Sequence, residues 1–442
     1  MQLIMMKPSL LLLLAVTSDA ITAPRSKLSA PKTHVVQRGG GAMTESAATI
    51  SLFKTIVGGG ILALPAGMAA ARGTGILPGL AILALHAGVS AYTYALVGRS
   101  VVATRARTFA ELWGKAFGTG TAWIIDLIIV GVAGGAALTY NCFTGDLLKQ
   151  LTGVDRMKAI LLLTLFPIGP LALLRDLSAL KHSTIAGLVA VFVSAVVIVF
   201  RSLDGSYGVE GDFGAWLAAA PGALDQVSTT KLSLGSAVLF NMLSTAFMCH
   251  TNAVRAYEEL GPKHRHAAVA RKAFGLAGLL YGVVMVAGYL TFGGACEGLV
   301  LANYDGADPR ARIAWIATLV SLLSSYPLLF TGLRDASCSL LGVTLPEKFM
   351  PFAGLSLGLL AVPTLLAIVV PDVGFVVSLM GASLGAALIL VVPAMIGTRV
   401  LPDRNCSKSE RRAMRLVAAF GVLVGLFGTT VTVLETYTDL LA

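Results

Sequence analysis

Lys54-Thr-Ile-Val-Gly58-Gly59-Gly60-Ile61-Leu-Ala-Leu-Pro65 places three consecutive glycines and a lysine inside the first long apolar segment of a very hydrophobic chain. A glycine run supplies no side chains to hold a helix in register, so the backbone can open there and offer unpaired N–H groups. Inside a bilayer, opened backbone is tolerated only where it lines a cavity. The segment therefore predicts a membrane helix broken around a binding site. The alternative, glycines that merely let another helix pack closely, requires neither the lysine nor Pro65.

The rest of the chain supplies the membrane context. Hydrophobic residues make up 56% of its 442 positions and charged residues 13%, and the mean hydropathy is +0.81. That is too apolar for a water-soluble protein of this length and describes an all-α polytopic membrane protein. About eleven apolar runs approach the roughly 20 residues that span a bilayer core. They begin near Thr49, Ile76, Trp123, Met157, His182, Leu232, Ala268, Ala311, Phe349, Val373 and Met414. Only Arg175 to Lys181 separates the fourth from the fifth, which predicts a tight helical hairpin.

The net charge of +10 does not point to nucleic acid, because the basic residues sit in alternate loops. One set of loops carries Arg99, Arg105, Arg107 and Lys115, then Arg255, Lys263, Arg265, Arg271 and Lys272, then Arg399, Arg404, Lys408, Arg411, Arg412 and Arg415. The other set is neutral or acidic, with Asp204, Glu210, Asp212, Asp225, Glu297, Asp305 and Asp308. The positive-inside rule then puts the N-terminus on the cytoplasmic side and the C-terminus outside, and an odd number of spans satisfies it. The cysteines, Cys142, Cys249, Cys296, Cys338 and Cys406, lie far apart without CxxC spacing, so neither a disulfide framework nor a metal site is expected.

Residues 1–45 read as a targeting presequence or a disordered tail ahead of a transmembrane domain over 46–442. Met1 to Ala20 has the form of a signal peptide, with Lys7, an apolar core from Leu10 to Val16, and small residues at Ser18 and Ala20. Ile21 to Met43 is transit-like: Arg25, Lys27, Lys32 and Arg38, several hydroxyl residues and no acid. Simple secretion would invert every loop relative to the charge pattern. The combination resembles the bipartite presequence of algae with complex plastids, which suggests a plastid membrane with a stromal N-terminus; vacuolar and plasma membranes are the alternatives.

An enzyme needs catalytic groups gathered at one depth. The intramembrane candidates, Lys54, His86, Asp126, Asp146, His250, Arg255, Arg334 and Asp335, are instead scattered over several spans. Sparse buried charges of this kind mark transport pathways. If span 1 opens at Gly58 to Gly60, the second half begins near Ile61 with its amides facing the opening, an arrangement that binds carboxylates. In span 6, Asn241, Ser244 and Thr245 share a face, and His250 and Asn252 mark a second polar point. His250 alone reads more readily as a hydrogen-bonded structural histidine than as a ligand. Span 8 carries Ser321, Ser324 and Ser325 ahead of Tyr326-Pro327; these hydroxyls could ligate a small cation or bond back to their own helix.

Together these pieces resemble the amino acid/auxin permease family, which includes sodium-coupled neutral and vacuolar amino acid transporters. The resemblance rests on Ile56 to Pro65, on Tyr140 with Gly145-Asp-Leu-Leu148, and on Leu174 to Lys181. It continues in Phe247-Met-Cys-His250 with Tyr257-Glu-Glu-Leu260, and in Tyr326-Pro327 with Arg334. It implies the leucine-transporter-type fold: two inverted five-helix repeats, one extra helix, and breaks in helices 1 and 6. It further implies that the backbone of Gly58, Gly59, Gly60 and Ile61 holds a substrate carboxylate. Tyr140, Phe247, Met248 and Cys249 would shape the pocket, and Ser324 and Ser325 would sit at a cation position. His250, Asn241 and Arg334 take gating or structural polar roles.

Lys54 departs from the family pattern. Sodium-coupled relatives generally present an asparagine there, whereas a lysine ammonium has three donors and no acceptor and cannot ligate sodium. A buried lysine can instead replace the cation and shed a proton during the cycle; a lysine snorkelling to the membrane edge is the plainer alternative. The expectation is secondary transport of neutral amino acids by alternating access, coupled to protons, or to sodium in the alternative. No enzyme activity, cofactor, metal or nucleic acid is expected, and the surrounding partner is the lipid bilayer. A sensor using the same fold with little flux is the competing reading.

Overall fold

The first span begins at Thr44, whose hydroxyl accepts a hydrogen bond from the Ala47 amide at 3.2 Å and so caps the helix start. The helix runs Glu45–Ile56, stops, and resumes over Gly59–Ala69 after a bend of 47°. The computed structural model describes residues 43–175, 181–370 and 372–437. The expected presequence, residues 176–180 of the expected hairpin, and the last residues therefore lie outside it, apart from the presequence's final residues, 43–45.

Among the described residues, eight helices are long and apolar enough to cross a bilayer, and the bent first pair makes a ninth. The eight are Ile76–Thr104 (span 2), Trp123–Thr152 (span 3), Lys181–Leu203 (span 5), His266–Phe292 (span 7), Pro309–Leu341 (span 8), Phe349–Val369 (span 9), Val373–Val400 (span 10) and Lys408–Tyr437 (span 11). The two remaining expected spans are present as interrupted helices. Span 4 consists of Arg156–Leu163, a π turn over Thr164–Ile168 that contains Pro167, and Gly169–Ala172. A proline inside a helix removes one amide donor and clashes with the preceding turn, which accounts for the wide turn there. Span 6 runs Gly235–Ala246, breaks, and resumes through His250–Asn252 into Ala253–Glu259. A short amphipathic helix, Phe109–Phe117, lies between spans 2 and 3, where the sequence reading had only a basic loop.

The two halves repeat one another in length. The first piece of span 1 and the first piece of span 6 are both 12 residues, and spans 3 and 8 are both long, at 30 and 33 residues. Leu165, Phe166, Leu279, Val369 and Leu426 are exposed on helices read as membrane-spanning, as apolar side chains facing lipid must be.

Polar ties fix the frame around the broken spans. Asn241 in span 6 donates from Nδ2 to the Gly428 carbonyl at 3.1 Å and to Thr432 Oγ1 at 3.2 Å, so it joins span 6 to span 11. Arg201 at the end of span 5 binds Asp308 and Asp204, and Tyr207 donates to Asp308 Oδ2 at 3.0 Å, locking span 5 to the start of span 8. Arg334 donates to the Ala172 carbonyl at 3.1 Å and its guanidinium lies 4.4 Å over the Phe352 ring, tying spans 4, 8 and 9. Asn241 and Arg334 are thus anchors between helices.

Candidate functional site

Gly58 is extended, with φ −129° and ψ −160°, and none of Gly58, Gly59 or Gly60 adopts positive φ. Their requirement is closeness. A Cβ on Gly60 would stand 3.0 Å from the Ala246 Cα, at the end of the first half of span 6. One on Gly59 would stand 3.0 Å from Leu322 of span 8 and 3.4 Å from Phe143 of span 3. The glycines therefore serve close packing and backbone opening together, since the amides of Gly58, Gly59 and Gly60 have no backbone acceptor among the described residues. Ile61 does, donating to the Gly58 carbonyl at 3.4 Å. The Gly59 amide instead meets the Tyr140 hydroxyl oxygen, and amides gathered at the start of a helical turn form an anion seat.

Tyr140 of span 3 faces this seat: a Cβ on Gly58 would lie 3.3 Å from its hydroxyl. Behind the break, Gly58, Gly59, Ile61 and Leu62 line a cavity of about 10 Å³ with Val191, Ser194 and Ala195 of span 5, Val284 of span 7, and Thr318, Ser321 and Leu322 of span 8. Ser194 and Thr318 share a hydrogen bond of 2.8 Å across it. Of the three span 8 serines, Ser321 is thus the one that lines this cavity. Ser324 donates to the Val320 carbonyl of its own helix at 2.6 Å, and neither it nor Ser325 lines the cavity. Helical periodicity could have chosen among the three serines only with the rotation of span 8 known.

At the span 6 break, Phe247 to Cys249 leave the helix. Phe247 is fully buried between spans 2 and 7, stacked on His86 at 5.5 Å and 4.9 Å from the Tyr281 ring. Neither Phe247, Met248 nor Cys249 lines the cavity at the glycines. Span 2 grips both sides of this break. Ser244 Oγ donates to the Phe240 carbonyl, so it must accept from His86 Nε2 at 2.9 Å, and His86 Nδ1 then accepts from Ser90 Oγ at 3.1 Å. Thr93 Oγ1 likewise donates to its own helix and accepts from His250 Nε2 at 3.0 Å, leaving His250 Nδ1 buried without a partner. The assignment of His250 as a structural or gating group is consistent with this clasp. His86, singled out only as a stray ionisable residue, is its equal partner.

A vestibule of about 810 Å³ opens at the end of span 1 opposite the N-terminus, between Ala66 to Arg72, Met242 of span 6 and Ser378 of span 10; Asp146, Arg156, Glu297, Asp372 and Glu435 are among its lining residues. On the N-terminal side, Met43 forms a backbone bridge with Leu260, through the Met43 amide to the Glu259 carbonyl (2.9 Å) and the Gly261 amide to the Met43 carbonyl (3.0 Å). Glu45 pairs with Lys272 at 2.7 Å beside it. Lys54 lies in the last turn before the span 1 break, half-buried, with no hydrogen bond or ion pair among the described residues and outside the lining of the small cavity.

Tyr281 is the feature sequence reasoning missed. Its hydroxyl lies 2.8 Å from the Ile56 carbonyl and 2.9 Å from the Ala246 carbonyl, the last helical residue before each break. A tyrosine in the middle of the apolar run of span 7 was the available signal.

The family described as transmembrane amino acid transporter protein matches residues 42–436. The chain belongs to that family. The transporter is similar to the amino acid transporter AVT6E of Arabidopsis thaliana, 26% identical over 418 residues that cover 86% of this chain and 81% of the relative. Its fold is similar to that of Mhp1 in an inward-facing conformation, with a TM-score of 0.56, 12% identity, and 88% and 89% of the two chains covered. It is similar in the same way to a Na+-coupled sialic acid symporter in a substrate-bound outward-open state, with a TM-score of 0.55, 14% identity, and 90% and 89% covered. The leucine-transporter-type fold expected from the sequence is therefore the fold of this chain. The protein is a multi-pass secondary transporter of amino acids and not an enzyme.

Proposed function

We propose that the transporter moves neutral amino acids through a site between the breaks of spans 1 and 6, that it works without sodium, and that a proton gradient drives it. Lys54 is the observation that carries this reading. Its ammonium sits in the last turn of the first half of span 1, at the negative end of that half-helix, with no carboxylate against it. A fixed cation one turn ahead of the break supplies the positive charge that a sodium ion would bring, and a lysine in such surroundings can exchange its proton.

The substrate carboxylate takes the amides of Gly58, Gly59 and Gly60, at the start of the turn that leads into Ile61, and displaces the Tyr140 hydroxyl from the Gly59 amide. Tyr140 is the group that must turn to admit it. The wall around the small cavity offers only apolar side chains and the hydroxyls of Ser194, Thr318 and Ser321, which suits a neutral substrate side chain, since a charged one would be left unpaired. Met248 and Cys249, in the opened stretch of span 6, stand on the side where the ammonium group is received. Transport is by alternating access, with the vestibule on one side of the breaks and the Met43–Leu260 bridge on the other.

The alternation of basic and acidic loops supports an N-terminus on the cytoplasmic or stromal side. The composition of residues 1–43 supports a plastid membrane, which fluorescent fusions to the first forty residues would check. Uptake of a labelled neutral amino acid into proteoliposomes tests the coupling: accumulation under an imposed pH gradient without sodium is expected, and full dependence on sodium with no response to pH would overturn it.

A further inference from the structure

The end of a helix leaves its last carbonyls without intrahelical donors, and a buried carbonyl left in that state is costly. Two such ends meet at the centre of this protein. Ile56 ends the first half of span 1 and Ala246 ends the first half of span 6, and both carbonyls point to one hydroxyl, that of Tyr281. A phenol has one proton, so the two bonds of 2.8 and 2.9 Å are a shared, three-centre interaction. Two helix C-termini carry like partial charge and repel across a short gap; a donor placed between them offsets this. The Tyr281 ring is fully buried and held against Phe247, and span 7 is an unbroken helix over His266–Phe292. The hydroxyl is therefore a fixed point to which both movable segments are attached.

We propose that Tyr281 is a positioning residue that pins the two breaks together in this arrangement, so that the first half of span 1 swings away from the N-terminal side only when Ile56 leaves the hydroxyl. This rests on the reading of the breaks as one alternating-access site. Gly60, at the start of the second half of span 1, also packs against Ala246, so the pin acts where the backbones of spans 1 and 6 already touch. Losing the hydroxyl frees two carbonyls at once and uncouples the segments, while leaving the ring and its packing in place.

Tyr289, two turns along the same helix, gives a matched control: its hydroxyl donates to a single loop carbonyl, Gln226, at 2.7 Å, away from both breaks. Hydrogen exchange of the full-length transporter in nanodiscs, with counterflow of a labelled neutral amino acid in proteoliposomes, tests the pin in Tyr281→Phe and Tyr289→Phe. Tyr281→Phe is expected to speed exchange in the peptides covering 45–61 and 235–249 together, by roughly three- to tenfold, the size set by one buried hydrogen bond. It is also expected to raise the KM from the vestibule side by a similar factor while the maximal exchange rate holds. Tyr289→Phe is expected to do neither. Faster exchange in only one of the two peptides, equal effects of the two substitutions, or a Tyr281→Phe protein indistinguishable from wild type in both readouts would overturn the pin. Absence of counterflow in the wild type would instead strike the transport reading, while the exchange comparison would still decide the pin.

Discussion

Replacing Gly60 with alanine isolates the contact between the two breaks. The added Cβ would stand 3.0 Å from the Ala246 Cα and 3.3 Å from its Cβ, where ordinary contact begins at 3.4 Å, so it intrudes by about 0.4 Å on backbone at the end of a helix. That backbone cannot turn aside as a side chain can. Overpacking of a close-packed interior costs about 1–3 kcal/mol. At about 1.4 kcal/mol per factor of ten, this is a roughly five- to 150-fold loss if it falls on the transport-competent arrangement. Gly58→Ala is the internal comparison: its Cβ meets the tip of Tyr140, 3.3 Å away, which can swing. Counterflow in proteoliposomes, normalised to folded protein by thermal melting, should show Gly60→Ala severely impaired and Gly58→Ala within a few-fold of wild type. Equal activity of the two variants, or a worse defect at Gly58, would refute the claim that the breaks are held in contact through Gly60.

Other expectations follow from neighbouring parts of the structure. Lys54→Asn replaces the fixed cation by a carbonyl oxygen, and uptake should become sodium-stimulated and lose its response to an imposed pH gradient; unchanged coupling would remove Lys54 from the mechanism. Burial opposes ionisation of Asp308, but hydrogen bonds from Arg201, the Arg310 amide and Tyr207 outweigh it and hold its carboxyl below the usual range. A depressed carboxyl stabilises the fold above its unfolded value of about 3.9 and ceases to do so as pH falls through its folded value. Melting temperature should therefore hold from pH 7 to about 4 and then drop, and Asp308→Asn should cost up to about 3–5 kcal/mol at neutral pH with a smaller acid drop. Met43→Pro deletes the amide that bridges to Glu259 at 2.9 Å, and thiol labelling from the N-terminal side should rise several-fold if that bridge is the seal.

Much of this organisation was legible in the chain because the bilayer restricts it so severely. Apolar length placed the spans, the glycine run and the polar stretch around His250 marked the two breaks, and both are where the helices stop. The roles of single side chains were less legible, for a physical reason. Sequence periodicity says which residues share a face but not how that face is rotated toward its neighbours. Ser321, Ser324 and Ser325 share a face by spacing, yet Ser321 reaches the cavity and Ser324 bonds to its own helix. Phe247 sits in the right loop but turns toward spans 2 and 7. Arg334 and Asn241 were read as gating or structural polar groups, and each ties helices together. The glycines serve close approach as well as the opening of the backbone. Tyr281 stayed hidden because its partners are main-chain carbonyls of two distant spans, which carry no side-chain signature.

The central claim is that the two breaks make one amino acid site. A structure of the transporter with a neutral amino acid bound tests it most directly. The account predicts the substrate lying between spans 1 and 6, its carboxylate on the amides of Gly58 to Gly60 and Tyr140 turned to admit it. An amino acid held only in the outer vestibule, with no carboxylate on the Gly58 to Gly60 amides, would contradict it.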